Sequence, residues 1–185
     1  MAILDAAEVS SIRNTRVKPT NFAGNQDLKT IHNAYVAKSS FEGSNINYLN
    51  VENSNLVETN LTKCNIKEAK LTHSNFERSN FCWSNLHKDH FIKCNLKSCD
   101  LQFADISFGF FSESLCEETD FRWSKLDHTI FRKCDLQNAN FGGVNLSTTR
   151  FDDCNLEGAK FNINTKLPFS LDKAQKLGMV FIGIN

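Results

Sequence analysis

Between Phe41 and Phe161 an apolar residue returns at every fifth position without a slip. The series runs Phe41, Ile46, Val51, Leu56, Leu61, Ile66, Leu71, Phe76, Phe81, Leu86, Phe91, Leu96 and Leu101. It continues through Ile106, Phe111, Cys116, Phe121, Leu126, Phe131, Leu136, Phe141, Leu146, Phe151, Leu156 and Phe161. Of these 25 positions, 24 hold Leu, Ile, Val or Phe, and Cys116 is the exception. A period of five fits neither the 3.6 of a helix nor the 2.0 of a strand. The repeat therefore reflects an architecture of stacked units.

Taking each apolar residue as the centre of a unit, the residue two before it is small in 23 of 25 units, and only Leu49 and Asp89 depart. The residue just before the centre is Asn or Asp in 16 units, as in "SNLVE" at 54–58 and "CNLKS" at 94–98. One large and one small inward residue suit one side of a polygonal coil, with the large one on the axis and the small one at the crowded corner. Asn and Asp tolerate turn geometry and bond nearby backbone through their side chains. Successive coils are expected to stack at the spacing of paired strands, roughly 4.8 Å. No unit buries its apolar face alone, so stability is a sum over neighbours.

The pattern small–Asn/Asp–Leu/Phe–x–x resembles the pentapeptide-repeat proteins and covers about two-thirds of the chain. The resemblance implies an all-β fold, a right-handed quadrilateral β-helix with four units per coil. On this reading residues 1–20 form an N-terminal cap segment, 21–163 the coil, and 164–185 a helix and apolar tail. Ile3, Leu4, Ala7 and Ile12 fit a short amphipathic helix in the cap, and Phe22 in "TNFAG" lies out of register with the later series.

Pro168 is expected to stop the coil, Ser170 to cap a helix carrying Leu171, Ala174 and Leu177, and Gly178 to end it. The apolar tail Met179, Val180, Phe181, Ile182 and Ile184 either covers the last coil or pairs with a second subunit. "LDKAQKLGMVFIG" is similar to the C-terminal segment of the Qnr-type and McbG-like members of the family. That similarity implies a homodimer built tail to tail, through Leu171, Ala174, Leu177, Met179, Val180, Phe181 and Ile182. It also implies a partner, DNA gyrase or topoisomerase IV, protected from quinolones or peptide toxins by a rod that imitates DNA.

With 20 residues per coil, residues i and i+20 lie one above the other. Trp83, Phe103 and Trp123 then form an outward aromatic ladder, with Phe108 outward on the next side. Five of the nine units without Asn or Asp before the centre fall in one column, read as a corner: Lys70, His90, Phe110, Ile130 and Arg150. These two features either form a partner-binding patch or reflect cross-coil stacking that stabilises the surface. A third side carries Glu58, Glu77, Glu117, Glu118 and Glu157, against Arg78 and Lys97. Such acids either stand in for DNA phosphates or make an ordinary solvated face.

Composition limits the function. The 21 acidic and 21 basic residues cancel, which disfavours direct binding to nucleic acid. No window approaches the roughly 20 apolar residues of a membrane span, and the N-terminus lacks a basic, then apolar, signal pattern. Five of seven cysteines sit in the small inward position, which points to core packing and a reducing cytoplasm. The five histidines show no metal spacing with them, and no nucleophile elbow or phosphate loop occurs. The expectation is a non-enzyme without cofactor or metal.

Overall fold

The computed structural model describes residues 8–183, which wind as a parallel β-solenoid of about nine turns. One side of the coil is a continuous sheet. Its strands are β1 (Ser11–Arg13), β2 (Thr30–His32), β3 (Asn50–Glu52), β4 (Lys70–Thr72), β5 (His90–Ile92), β6 (Phe110–Ser112), β7 (Ile130–Arg132) and β8 (Arg150–Asp152). They pair in parallel and in sequence order, with Val51 on Leu71 and Phe111 on Phe131. The other three sides are linked by single bridges at the residue before the centre, such as Asn55 to Asn75, Asn60 to Asn80 and Asn65 to Asn85.

The centres are buried as the period requires, and the small residues beside them are buried too, except that Phe151 and Cys154 near the C-terminal end are half-buried. The small position also has a polar task. Ser79 Oγ donates to Leu56 O at 2.7 Å, Thr129 Oγ1 to Ile106 O at 2.8 Å, and Cys99 Sγ to Phe76 O at 2.9 Å. Each bond reaches back to the previous coil and satisfies a buried carbonyl. The Asn and Asp before the centre accept from the amide two residues on, as in Thr62 N to Asn60 Oδ1 at 3.0 Å and Gln102 N to Asp100 Oδ1 at 3.0 Å. The second residue after the centre takes a left-handed conformation, with φ of 62° at Trp83 and 58° at Phe103. This turn carries the chain to the next side and points the side chain outward.

Four expectations change. Of the amphipathic helix, Ile3, Leu4 and Ala7 lie outside the described residues, and Ile12 sits in β1, already a rung of the sheet. The sheet thus begins ahead of residue 21. The out-of-register Phe22 reflects a first coil of 19 residues, since Ser11 pairs with Thr30, while Thr30 pairs with Asn50. The shortened stretch follows buried Asn25, whose Oδ1 accepts from Asp27 and Leu28 amides, and Leu28 takes the vacant core position. Phe22 stacks on Phe41 at 4.8 Å and 8°.

The column read as a corner is instead the first residue of β4 to β8: Lys70, His90, Phe110, Ile130 and Arg150. Strand amides on this side bond the neighbouring rung, so the Asn or Asp cap has no amide to serve.

At the C-terminal end the coil does not stop at Pro168. Lys166 bridges Asn145, one residue beyond the 20-residue register, and a single helical turn, α1 (Leu171–Lys176), follows in the place where a ninth strand is due. Ser170 caps it as expected, its Oγ accepting from Lys173 N at 3.3 Å. After Gly178 the register returns: β10 (Val180–Phe181) pairs in parallel with β9 (Lys160–Phe161). Ala174 and Met179 are buried under this last rung, whereas Leu171, Val180 and Phe181 stay exposed. The tail therefore covers the coil and still leaves an apolar end.

Candidate interaction surfaces

Four centres per coil define four sides: the strand side, the side of Leu56 and Phe76, the side of Phe81 and Leu101, and the side of Leu86 and Ile106. The aromatic ladder stands on the third. Trp83 and Phe103 stack with centroids 4.4 Å apart and planes 6° apart. Trp123 stands one coil further along the same column, and all three rings remain substantially exposed. Trp83 is 62% exposed, Phe103 40% and Trp123 47%. The ladder closes on Gly143: a Cβ there would lie 2.5 Å from the Trp123 ring. Glycine is required at this position for the indole lying on it, and its left-handed φ of 74°, a region that other residues adopt elsewhere in the coil, comes to glycine without strain.

That contact makes a prediction. Gly143→Ala is expected to lower stability by about 1–2 kcal/mol from the left-handed backbone and to displace Trp123 from its seat. A thermal melt and the tryptophan emission maximum check it; an unchanged spectrum would show that Trp123 does not rest there.

The charges around the ladder are locally matched. Asp120 holds Arg122 at 2.6 Å, Asp105 meets Lys125 at 3.7 Å, and Glu42 meets Lys63 at 3.5 Å. Ion pairs at this exposure add little stability each, roughly 0–1 kcal/mol. Their consequence is a nearly neutral rim around an apolar strip.

Three of the five glutamates of the second side also meet a cation. Glu58 pairs with Lys38 at 3.5 Å, Glu77 with Arg78 at 3.8 Å, and Glu117 with Lys97 at 3.0 Å. That last pair raises the Lys97 pKa, first through its hydrogen bond to Glu117. Glu118 accepts from Ser98 Oγ at 2.9 Å, and the Glu157 carboxylate fills the space that a Cβ on Gly178 would take. Cations thus alternate with the acids, unlike a row of phosphates.

The fourth edge, where the Leu86 side meets the strand side, gathers Phe108 and Phe110 with histidines and lysines. Phe108 lies between His87, at 5.4 Å, and His128, stacked at 5.0 Å. Phe110 is half-buried beneath His90, at 5.8 Å, and the Arg132 guanidinium, 5.4 Å from its ring centre. Ile130 is half-buried beside it, and Arg150 is held by Asp152 at 2.9 Å. The structure thus separates Phe108 and Phe110 from the Trp83 ladder, placing them on a neighbouring edge. The apolar residues visible in the sequence do not by themselves reveal this basic surround, which depends on neighbours 20 residues apart.

Chemistry at the thiols is suppressed. Burial pushes Cys64 and Cys94 up to about 12, and Cys82 reaches about 12 through desolvation and its hydrogen bond to Asp100. These thiols stay protonated and are poor nucleophiles. Among the described residues no three His, Cys, Asp or Glu side chains are placed to hold a metal ion. No described helix is long and apolar enough to cross a membrane.

Comparison with known families matches residues 84–161 to a pentapeptide repeat region and residues 64–102 to pentapeptide repeats in eight copies. No curated protein matches. Among solved structures, the chain is similar to HetL, a pentapeptide repeat protein involved in heterocyst differentiation regulation from the cyanobacterium Nostoc sp. strain PCC 7120. Identity is 17%, over 92% of this chain and 84% of that one, with a TM-score of 0.39. It is also similar to a trypsin-treated variant of QnrB1, a plasmid-mediated fluoroquinolone resistance protein, at 13% identity over 93% and 91% of the two chains, with a TM-score of 0.49. A pentapeptide repeat protein of the Arabidopsis thaliana thylakoid lumen shares 23% identity over 64% and 70%, with a TM-score of 0.28. At these identities the likeness concerns the fold.

Proposed function

Because this chain belongs to the pentapeptide-repeat family, we propose that it is a binding rod without catalytic activity, which engages a protein partner through the ladder of Trp83, Phe103 and Trp123. The observation that supports this reading is the ladder itself: three large aromatic side chains, all substantially exposed, inside a rim whose charges are already paired. Exposed aromatics of this kind supply the anchors of protein interfaces.

A second reading is a rod that imitates DNA and occupies DNA gyrase or topoisomerase IV, giving quinolone or toxin protection. The layout of the tail favours it, since α1, Gly178 and β10 follow the order of the Qnr-type segment. The alternating charges of the glutamate side disfavour it. A gyrase supercoiling assay with and without a quinolone separates the two. DNA imitation requires an effect that weakens steeply with salt and with Glu117→Gln/Glu118→Gln. The ladder reading requires that any effect survive salt and disappear with Trp83→Ser/Trp123→Ser.

The exposed Leu171, Val180 and Phe181 support a homodimer through the apolar end, with β10 as the open edge of its two-stranded ladder. Phe181→Asp is expected to yield a folded monomer, because the side chain is 57% exposed and the covering of the coil rests on Ala174 and Met179. Light scattering and the far-ultraviolet β signal check it. An unfolded variant would show that Phe181 serves the coil, and an unchanged mass would refute the dimer.

A further inference from the structure

Just outside the buried Asp89 a cleft of about 250 Å³ opens at the surface, lined by Glu68, Ala69, Lys70, Lys88 and His90. Among the described residues neither lysine has a carboxylate within ion-pair distance, whereas Lys38, Lys93, Lys97 and Lys125 elsewhere on the coil each meet one a rung away. The cleft therefore holds two free ammonium groups and an imidazole against the single carboxylate of Glu68. One coil further on, roughly 4.8 Å along the axis, stand Phe108, 51% exposed, and half-buried Phe110. A cationic seat thus adjoins an apolar one on the same edge.

We propose that this edge binds an extended acidic peptide of a protein partner, one carboxylate seated between Lys70 and Lys88 and a neighbouring apolar side chain against Phe108. The charge of the cleft selects the carboxylate, and Lys70 and Lys88, without an ion-pair partner among the described residues, are left to be answered from outside. Single-stranded nucleic acid fits less well. Base stacking needs an open aromatic face, and here His128 lies over Phe108 while Arg132 lies over Phe110. The inference rests on the reading of this chain as a binding rod and gives that rod a second contact, with its own chemistry.

The test is fluorescence anisotropy of the full chain with three labelled probes: a peptide alternating Asp and Leu, its Lys–Leu counterpart, and oligo-dT. The Asp–Leu peptide is expected to bind saturably and to weaken with salt. The variant Lys70→Ala/Lys88→Ala is expected to weaken it roughly tenfold, the equivalent of one free-energy step of about 1.4 kcal/mol. Both lysine side chains are on the surface, so far-ultraviolet circular dichroism should stay unchanged. The proposal is overturned if the Asp–Leu peptide does not bind, if the double variant binds it equally well, or if oligo-dT or the Lys–Leu peptide binds as tightly. Trp83→Ser/Trp123→Ser leaves this cleft intact, so loss of the ladder contact and loss of this one are read separately.

Discussion

Asp89→Thr is expected to stabilise the protein at neutral pH and to flatten its pH dependence. Asp89 occupies the small inward position and is fully buried. Its Oδ1 accepts from Ala69 N at 2.8 Å, while Oδ2 has no partner among the described residues. Burial holds this carboxyl well above the usual carboxylate range; the Ala69 hydrogen bond opposes the rise and Glu68 adds to it. The folded state thus keeps a proton that the unfolded chain releases near pH ~3.9. Stability from this site is full below that value and falls as pH rises, by about 1.4 kcal/mol per unit while the folded carboxyl stays protonated. In the same column Thr129 and Thr149 donate to the carbonyls of Ile106 and Leu126 at 2.8 and 2.9 Å, and the carbonyl in register with Asp89 is that of Ile66. A threonine supplies that hydroxyl without a titrating group. Urea unfolding at several pH values from acid to neutral should show the wild type losing stability and the variant holding it. Parallel curves would mean that Asp89 is not held protonated.

Phe111→Ala is expected to cost about 3–5 kcal/mol, the range for removing a fully buried phenylalanine. Phe111 is in the middle of a continuous stack: its ring lies 4.6 Å from Phe91 at 6° and 4.7 Å from Phe131 at 23°, with Phe121 edge-on at 6.5 Å. Two rungs lose their partner at once, and a solenoid passes that loss to its nearest neighbours. Against a typical total of about 5–15 kcal/mol, one substitution removes a large share. Phe111→Leu should cost less than about 1.5 kcal/mol, since Leu71 fills the same position two coils earlier. Urea midpoints of the two variants and the wild type check both values; equal midpoints for the two variants would contradict the account, because filling the space with an aliphatic side chain would then recover nothing.

The coil was legible because each unit repeats its own inward pair, as Ser79 with Phe81 does, and no alternative register places both inside. The limits of legibility have equally local causes. Phe22 reads as an outlier until the short first coil is known, and that depends on the buried Asn25 and on Leu28 moving into the core. Lys70, His90 and Phe110 were visible as a departure, but a missing Asn or Asp does not distinguish a corner from a strand. The return of the register at Phe181 is hidden by α1, because a helical turn replaces a rung without preserving the five-residue period. Among the surfaces, the Trp83 ladder followed from spacing alone. The pairing of Lys38 with Glu58 and Lys97 with Glu117 was readable by the same 20-residue rule, and it changes the glutamate side from an acidic face to an alternating one.

The central claim, a rod that binds through its exposed aromatic ladder, is tested most directly by quantitative affinity capture from lysate of the organism that carries this chain. Wild type, Trp83→Ser/Phe103→Ser/Trp123→Ser and Glu117→Gln/Glu118→Gln are compared at about 50 and about 500 mM salt, where exposed charge pairs are weakly and strongly screened. The account predicts a protein held at both salt concentrations by the wild type and the glutamine variant, and lost by the ladder variant. A partner held only at low salt and lost by the glutamine variant, or a capture profile that the ladder variant leaves unchanged, would contradict it.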